Sequence, residues 1–180
     1  MSELNIYQAS APDASLLASI HVPSKIAAES GIVSEEHLQN LRIEDYTDKW
    51  SEWLNAEDVE AFIISVDQKP AGFVACGKVK TAPPGSSHIR PVYSAEIMAI
   101  YVHPDHWGQG CGHKLMQEAA RHLKEKKHGG VCLWALDKNK RACRFYEKMG
   151  GQRCGKQMIE IGGRTVKEVC YGWRNVAELL

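Results

Sequence analysis

A glycine-rich stretch followed by a helical pattern is the part of this sequence best suited to bind an anion. Gly108, Gly110 and Gly112 stand in the segment WGQGCGHK. Glycine carries no Cβ, so a ligand can approach its backbone closely, and the free amides at the start of a helix attract negative charge. Residues 106–117 contain no Asp or Glu, although acids are favoured in the first turn of a helix. We therefore expect an anionic ligand at this loop.

Two familiar phosphate loops do not fit the stretch. A P-loop requires Gly-x-x-x-x-Gly-Lys-Ser/Thr, and the stretch lacks this pattern. The dinucleotide fingerprint Gly-x-Gly-x-x-Gly does not match either, because His113 stands where its third glycine belongs. The stretch resembles instead the pyrophosphate loop of the GCN5-related N-acetyltransferase (GNAT) superfamily, Gln/Arg-x-x-Gly-x-Gly/Ala. Here the motif reads WGQGCG, so Trp107 replaces the usual Gln or Arg. The alternative is a tight glycine turn before an ordinary helix.

A second motif lies downstream, in residues 139–150, NKRACRFYEKMG. It resembles the superfamily's Asn-x-x-Ala-x-x-Phe-Tyr-Glu-Lys-x-Gly segment. The two motifs stand in the superfamily's order and spacing, and the resemblance covers residues 61–155, whereas the N-terminal third matches only in its general helical character. On these motifs the chain is identified as a member of the GNAT superfamily. The resemblance implies acetyl-CoA as co-substrate and a primary amine as acceptor.

The resemblance also implies roles for individual residues. In the superfamily a splayed central strand leaves backbone groups free to polarise the thioester carbonyl and to pair with pantetheine, here near Ile100 to Val102. Glu96 is where many relatives carry the base that takes a proton from the amine. Tyr146 matches the tyrosine that protonates the leaving thiolate, since an ordinary tyrosine, with a pKa of about 10, is protonated at neutral pH. The alternatives are a polar strand-end residue for Glu96 and a packing aromatic for Tyr146.

The expected contacts to acetyl-CoA come from the same two motifs. Asn139 is predicted to cap a helix and, by resemblance, to meet the cofactor as well. His103 and His106 have a His-x-x-His spacing, but they stand in a turn without a third ligand, so we expect no metal site. The full set of expected cofactor-binding residues is Ile100, Tyr101, Val102, Trp107, Gly108, Gln109, Gly110, Cys111, Gly112, His113, Lys114, Asn139 and Tyr146.

Composition and charge restrict the class of protein. Lys plus Arg and Asp plus Glu each number 22 in the 180 residues, and this zero net charge argues against a general nucleic-acid binder. No apolar stretch approaches a membrane span, and the N-terminus lacks the basic and apolar parts of a signal peptide. The six cysteines form no Cys-x-x-Cys pair, so we expect reduced thiols. We predict one cytoplasmic domain over residues 1–180, with no membrane partner.

The N-terminal third predicts a first strand followed by helices. A short helix is expected to end where Pro23 interrupts it. Ser34 then begins a second helix, and a third carries Tyr46, Trp50 and Trp53 at three- and four-residue spacing. These aromatic residues are predicted to lie in the core, in the wall of the acceptor pocket, or in both.

The rest of the sequence, after the N-terminal third, predicts pairs of strands around the two motifs. Residues 61–66 and 71–76 form a hairpin, and residues 80–94 form a long loop, near the acceptor entrance or simply on the surface. The apolar run VCLWAL is a strand buried on both faces, and residues 158–171 form a last hairpin around Gly162-Gly163. The predicted class is α/β (α+β), a GNAT-like acyl-CoA N-acyltransferase fold. Its sheet is mixed, mostly antiparallel and six- to seven-stranded, and helices flank it.

The resulting hypothesis is acetyl transfer from acetyl-CoA to a primary amine by direct attack in a ternary complex. A small-molecule acceptor is the first choice, and a closed pocket walled by Trp50, Trp53 or Tyr46 would favour it. An open peptide groove would favour the rival, acetylation of a protein N-terminus or lysine. A non-catalytic acyl-CoA sensor is the alternative outside the enzymes, against which Tyr146 and Glu96 argue. The sequence leaves open the acceptor and the oligomeric state, a homodimer included.

Overall fold

The protein is built on a seven-stranded sheet, in a computed structural model that describes residues 2–87 and 91–180. The strands are β1 (Leu4–Gln8), β2 (Val59–Val66), β3 (Lys69–Lys78), β4 (Ala95–Val102), β5 (Val131–Leu136), β6 (Gln152–Ile161) and β7 (Arg164–Trp173). Their order is β1-β2-β3-β4-β5-β7-β6. Within the described ranges only β4 and β5 run parallel, and every other neighbouring pair is antiparallel. The predicted fold class is confirmed.

Five α-helices cover the two faces of the described sheet. They are α1 (Ala14–Glu29), α2 (Glu35–Gln39), α3 (Ile43–Leu54), α4 (Cys111–Glu125) and α5 (Lys140–Lys148). Because successive strand residues point to opposite faces, Phe62 and Ile64 of β2 pack with α4, while Ala61 and Ile63 pack with α1 and α3. Strands β2 and β3 are therefore apolar on both faces, which explains their nearly continuous hydrophobic runs.

Helix α1 is longer than the sequence predicts. Pro23 lies inside it rather than at its end, so the expected interruption is wrong. A proline within a helix removes one backbone hydrogen bond and costs about 3 kcal/mol. The buried face of α1, which includes Leu17 and Ile20, outweighs that local cost, since tertiary packing commonly overrides propensity. The extension carries the helix to Glu29, whose side chain is buried.

The hairpin of β6 and β7 also extends beyond its predicted limits. Strand β6 begins at Gln152, six residues before the predicted Met158. Its first half is polar because β6 is the sheet edge and pairs with β7 alone, so the hydrophobic pattern is weak there. The predicted turn is confirmed, since Gly162 and Gly163 have φ angles of +55° and +73°, in the left-handed region that glycine adopts without cost.

The connection between β3 and β4 lies partly outside the described residues, because residues 88–90 fall within it. In its described part, Trp134 of β5 donates a hydrogen bond from Nε1 to the carbonyl of Thr81 at 2.8 Å, and Tyr93 is buried. These contacts hold the connection against the sheet. No helix in the described ranges is both long and apolar enough to cross a membrane.

Candidate active site

The central feature of the site is a gap between β4 and β5. The two strands pair only at Ala95 with Val131 and at Glu96 with Cys132, although β4 continues to Val102 and β5 to Leu136. Beyond these two pairs, the facing edges have no strand partner among the described residues. Backbone groups of these edges can therefore bind a ligand, as the resemblance implies for the segment from Ile100 to Val102, except for the carbonyl of Val102, which accepts a hydrogen bond from the Trp107 side chain.

A cavity of about 530 Å³ opens at this gap. It extends from the glycine loop, past β4 and β5, to the end of α1 and the β6–β7 hairpin. Most of the predicted cofactor-binding residues line it: Ile100, Tyr101, Val102, Trp107, Gly108, Gly110, Cys111, Gly112, His113, Asn139 and Tyr146. Gln109, Lys114 and Glu96 are not among its lining residues. The structure thus brings both sequence motifs to one cavity.

The glycine loop presents the start of α4 to the cavity. Gly108 and Gly110 have φ angles of +76° and +84°, and a Cβ at either would meet no atom within 4 Å. Gly110 is the N-cap, and no side chain hydrogen-bonds to it as a cap, while the first turn of α4 contains no acid. The first amides of a helix have no partner within it. The loop is therefore an open, electropositive helix end.

Trp107, which departs from the motif, is fixed by two contacts. Its Nε1 donates a hydrogen bond to the carbonyl of Val102 at 2.7 Å. The guanidinium carbon of Arg141, from α5, lies 3.0 Å from the centre of the Trp107 ring, within cation–π range. Arg141 also lines the cavity. The sequence analysis did not predict a role for Arg141. The only feature of the sequence that points to one is that Arg141 lies within the second motif, two residues after Asn139.

Tyr146 is buried at the cavity and has a protonated side chain at neutral pH. Burial raises its pKa well above the ordinary value, and the nearby Tyr101 raises it further, while Arg141 opposes the shift. The pKa of Tyr101 is raised as well, first by burial and then by the carboxylates of Glu29 and Glu168. Both phenols line the cavity and can donate hydrogen bonds there. Asn139 accepts a hydrogen bond from the amide of Ala142 at 3.1 Å and so caps α5.

Glu96 is anchored away from the cavity. It is 8% exposed, and its Oε2 accepts hydrogen bonds from the amides of Lys80 at 2.9 Å and Thr81 at 2.8 Å. These bonds hold the beginning of the connection between β3 and β4. The role of Glu96 as a base stays a prediction, and the geometry adds a structural role that the sequence did not reveal.

The other end of the cavity is lined by α1 and the last hairpin. Lys25 and Glu29 of α1, with Ile161 of β6 and Glu168 of β7, form this end. The turn of the hairpin is held against α2, because Ser34 at the start of α2 donates a hydrogen bond from Oγ to the carbonyl of Gly162 at 3.1 Å.

The predicted aromatic residues of α3 belong to the core rather than to the cavity wall. Trp50 is 2% exposed, and its Nε1 donates to Nδ1 of His21 at 3.3 Å. Burial, with Lys25 and Lys49 nearby, lowers the pKa of His21 to about 3, so this imidazole is neutral. Neither Tyr46 nor Trp53 lines the cavity; both pack against the cluster between α1 and the sheet.

The cysteines of the described chain are free thiols. Cys111, at the start of α4, is 1% exposed, and burial raises its pKa, which disfavours the reactive thiolate. Within the described residues no three His, Cys, Asp or Glu side chains are grouped to hold a metal ion.

The family model described as "Acetyltransferase (GNAT) family" matches residues 30–151. The chain belongs to this family. It is an acyltransferase whose reaction, in general terms, is acetyl transfer. The match spans the gap between β4 and β5, the glycine loop and the second motif, whereas the cavity-lining residues of α1 and of the last hairpin lie outside it.

Proteins of similar sequence are described as N-acetyltransferases. The uncharacterized N-acetyltransferase YuaI of Bacillus subtilis is 24% identical over 178 residues, which cover 98% of this chain and 96% of YuaI. An uncharacterized N-acetyltransferase of Methanocaldococcus jannaschii is 33% identical over 126 residues, 67% of this chain but 53% of that protein.

Solved structures share the fold. The PaiA N-acetyltransferase of Thermoplasma acidophilum, in complex with coenzyme A, has a TM-score of 0.70 at 20% identity, covering 92% of this chain and 98% of that one. The acetyltransferase YncA of Salmonella typhimurium, with its cofactor acetyl-CoA, has a TM-score of 0.68 at 15% identity, covering 96% of this chain and 94% of that one. At these identities the likeness establishes the fold alone.

Proposed function

We propose that the protein transfers the acetyl group of acetyl-CoA to the primary amine of a small molecule, by direct attack in a ternary complex. The observation that carries the proposal is the single cavity that joins the glycine loop, the unpaired edges of β4 and β5, and Tyr146. A transferase of this kind must bring a long anionic co-substrate and an amine together. This cavity has the helix N-terminus of the glycine loop and Arg141 at one end and the carboxylates of Glu29 and Glu168 at the other.

The residues around the glycine loop fit the pyrophosphate of CoA. The open positions at Gly108 and Gly110 allow close approach, and the free amides at the start of α4 attract phosphate. Arg141, stacked on Trp107, supplies a cation beside the loop. The unpaired edge of β4 would hydrogen-bond the pantetheine chain as an added strand would. Acetyl-CoA, when bound, supplies the activated acetyl group.

The protein's own groups provide the remaining chemistry. A free amide on β4 near Ile100 to Val102 would donate a hydrogen bond to the thioester oxygen as negative charge develops there. As the amine nitrogen bonds to the acetyl carbon and the carbon–sulfur bond breaks, Tyr146 would give its proton to the leaving thiolate. The proton that the nitrogen loses as it becomes an amide would restore the Tyr146 hydroxyl through water. The raised pKa of Tyr146 keeps that proton available over the whole neutral range.

The packing of the last hairpin against α2 at the acceptor end supports a small molecule rather than a protein as acceptor. The β6–β7 turn rests on α2, where a Cβ at Gly162 would lie 2.4 Å from the Cβ of His37. Val33 and Leu38 pack with Val166 and Leu136 beneath this contact. A continuous peptide would need an open groove at this place, and the packed hairpin leaves a pocket instead.

The test is a mass-spectrometric screen for acetylated product. Purified protein and acetyl-CoA are incubated with amino acids, simple amines, aminoglycosides and peptides, and acetyl-CoA affinity is measured separately by calorimetry. Acetylation of one or more small amines supports the proposal. Acetylation of peptides alone would favour the protein acetyltransferase, and acetyl-CoA binding with slow hydrolysis and no acetylated product would favour the sensor.

A further inference from the structure

The acceptor end of the cavity contains a buried carboxylate with a spare hydrogen-bonding site. Glu29, the last residue of α1, is 5% exposed and lines the cavity. Its Oε1 forms an ion pair with Lys25 one turn earlier. Its Oε2 is buried and has no hydrogen-bond partner among the described residues. Leaving a buried charged oxygen unpaired is costly, so this atom is suited to receive a donor from a ligand.

A second carboxylate reinforces the negative charge at this end. Glu168, from β7, lines the same cavity, and its Oε2 accepts a hydrogen bond from Nε2 of Gln157 at 2.8 Å. The carboxylates of Glu29 and Glu168 both raise the pKa of Tyr101, so both act on the space near this phenol. Lys25 is the one cation among the described residues that line this end, and Lys49 of α3, outside the lining, acts on the neighbouring His21. The acceptor end therefore has one negative charge in excess, and it favours a ligand that arrives as a cation.

We propose that Glu29 binds the ammonium group of the acceptor and removes the proton that must leave before the nitrogen can attack. This inference rests on the proposed function. An ammonium nitrogen has no free electron pair, so one of its protons passes to Glu29 Oε2. The neutral nitrogen then bonds to the acetyl carbon, the carbon–sulfur bond breaks, and the thiolate takes the proton of Tyr146. The nitrogen loses a second proton as it becomes an amide, and this proton restores the Tyr146 hydroxyl through water. Glu29 returns its proton to water after the product leaves.

The same charges define the class of acceptor. An amine with a carboxylate on the adjacent carbon would bring a negative charge towards Glu29 and Glu168, whereas Lys25 is already paired with Glu29. We therefore expect cationic primary amines without an adjacent carboxylate to be the substrates. Each α-amino acid should be a poorer acceptor than the amine formed from it by decarboxylation, by a factor of about ten or more.

The experiment compares Glu29→Gln with the wild type and with the control Glu44→Gln, an exposed carboxylate on α3 outside the cavity. The acceptors are matched pairs of an α-amino acid and its decarboxylated amine. For Glu29→Gln we expect kcat/KM for the amine to fall at least about tenfold near neutral pH. The loss should shrink towards about pH 9 as free amine accumulates. Acetyl-CoA affinity, read by calorimetry, should stay within about twofold in all three proteins.

The outcomes separate this inference from the function on which it rests. If the wild type acetylates amines and Glu29→Gln keeps kcat/KM within about threefold across the pH range, the inference is overturned and the proposed function stands. Preference for the amino acid in the matched pairs would also overturn it. Acetyl-CoA binding without acetylation of any amine counts against both. Should Glu29→Gln fail to fold, Glu168→Gln decides the charge argument. It should raise KM for the amine severalfold with kcat nearly unchanged, and an unchanged KM contradicts the inference.

Discussion

The guanidinium group of Arg141 is stacked on Trp107, with its central carbon 3.0 Å from the centre of the indole ring. The contact joins α5, which carries the second motif, to the glycine loop, which carries the first. It places a cation at a loop whose own motif has lost the usual Gln or Arg. A stacked arginine loses little conformational freedom when it also binds a phosphate, so the pair provides a preformed contact for an anionic ligand.

Arg141→Gln tests this contact. Removal of the cation should raise the dissociation constant of acetyl-CoA about three- to tenfold, because charge-assisted bonds to phosphate are lost. Calorimetry measures the change. Arg144→Gln, on the same helix but not among the cavity-lining residues, is the matched control and should bind as the wild type does. Equal affinities for the two variants would show that Arg141 only packs against Trp107.

A charge placed at Gly110 tests the glycine loop. Gly110 has a φ of +84°, so every side chain there is strained to some degree, and Asn and Asp tolerate the region best. Gly110→Asn is therefore the control for backbone strain and steric bulk. Gly110→Asp adds a negative charge at the helix N-terminus beside the expected phosphates. Its acetyl-CoA affinity should be lower than that of Gly110→Asn by at least about tenfold, or ~1.4 kcal/mol. Indistinguishable affinities would count against pyrophosphate binding at this loop.

Tyr146→Phe tests the proton donor. The change keeps the ring, which packs against Phe145 and Tyr171, and removes only the hydroxyl. We expect kcat to fall by a factor on the order of 10²–10⁴ with little change in acetyl-CoA affinity. In the wild type, the raised pKa of Tyr146 means that its ionisation should cause no loss of kcat between neutral pH and about pH 10. A kcat within about threefold of the wild type would assign Tyr146 to packing.

Glu96→Gln separates anchoring from catalysis. Because Glu96 Oε2 accepts two amide hydrogen bonds from the connection after β3, the neutral variant should lose ~1–3 kcal/mol of unfolding free energy. If anchoring is its whole role, kcat/KM should remain near the wild-type value. Urea unfolding and a pH profile of kcat/KM are the two measurements. A loss of kcat/KM at neutral pH that shrinks as pH rises would instead assign the proton transfer to Glu96.

The centre of the fold could be predicted from the sequence because its signals are local. The helical pattern after the glycine loop, the apolar run of β5 and the Gly162-Gly163 turn each depend on neighbouring residues alone. They stand in the structure as predicted. The gap between β4 and β5 was expected from the resemblance, not from the residues themselves.

The remaining features depend on contacts between distant parts of the chain. Pro23 stays helical because α1 packs on the sheet, and this extension brings Glu29 to the cavity. Arg141 acquires a role only because α5 lies beside Trp107. The direction of the Glu96 side chain is set by amides about fifteen residues away along the chain. No local pattern encodes such side-chain directions, which is why the acceptor end was the least predictable part of the site.

His21 allows a pH test of the core between α1 and α3. Burial, and then Lys25 and Lys49, lower its pKa to about 3, whereas an unfolded histidine has a pKa of about 6.5. The unfolded chain therefore binds a proton that the folded protein excludes. The stability that neutral His21 contributes is complete above about pH 6.5 and is lost as the pH falls towards 3, by at most about 1.4 kcal/mol per pH unit.

Urea unfolding at about pH 7, 6 and 5 measures this loss. His21→Gln removes the titrating group but keeps an oxygen that can accept the hydrogen bond from Trp50 Nε1. The variant should be less stable than the wild type near neutral pH, because it replaces a well-packed ring, yet its stability should fall less steeply with acid. His113→Gln, at an exposed position, should keep the wild-type slope. Identical slopes for the wild type and His21→Gln would mean that His21 takes up its proton without unfolding, and the core around Trp50 would then have to admit a charge.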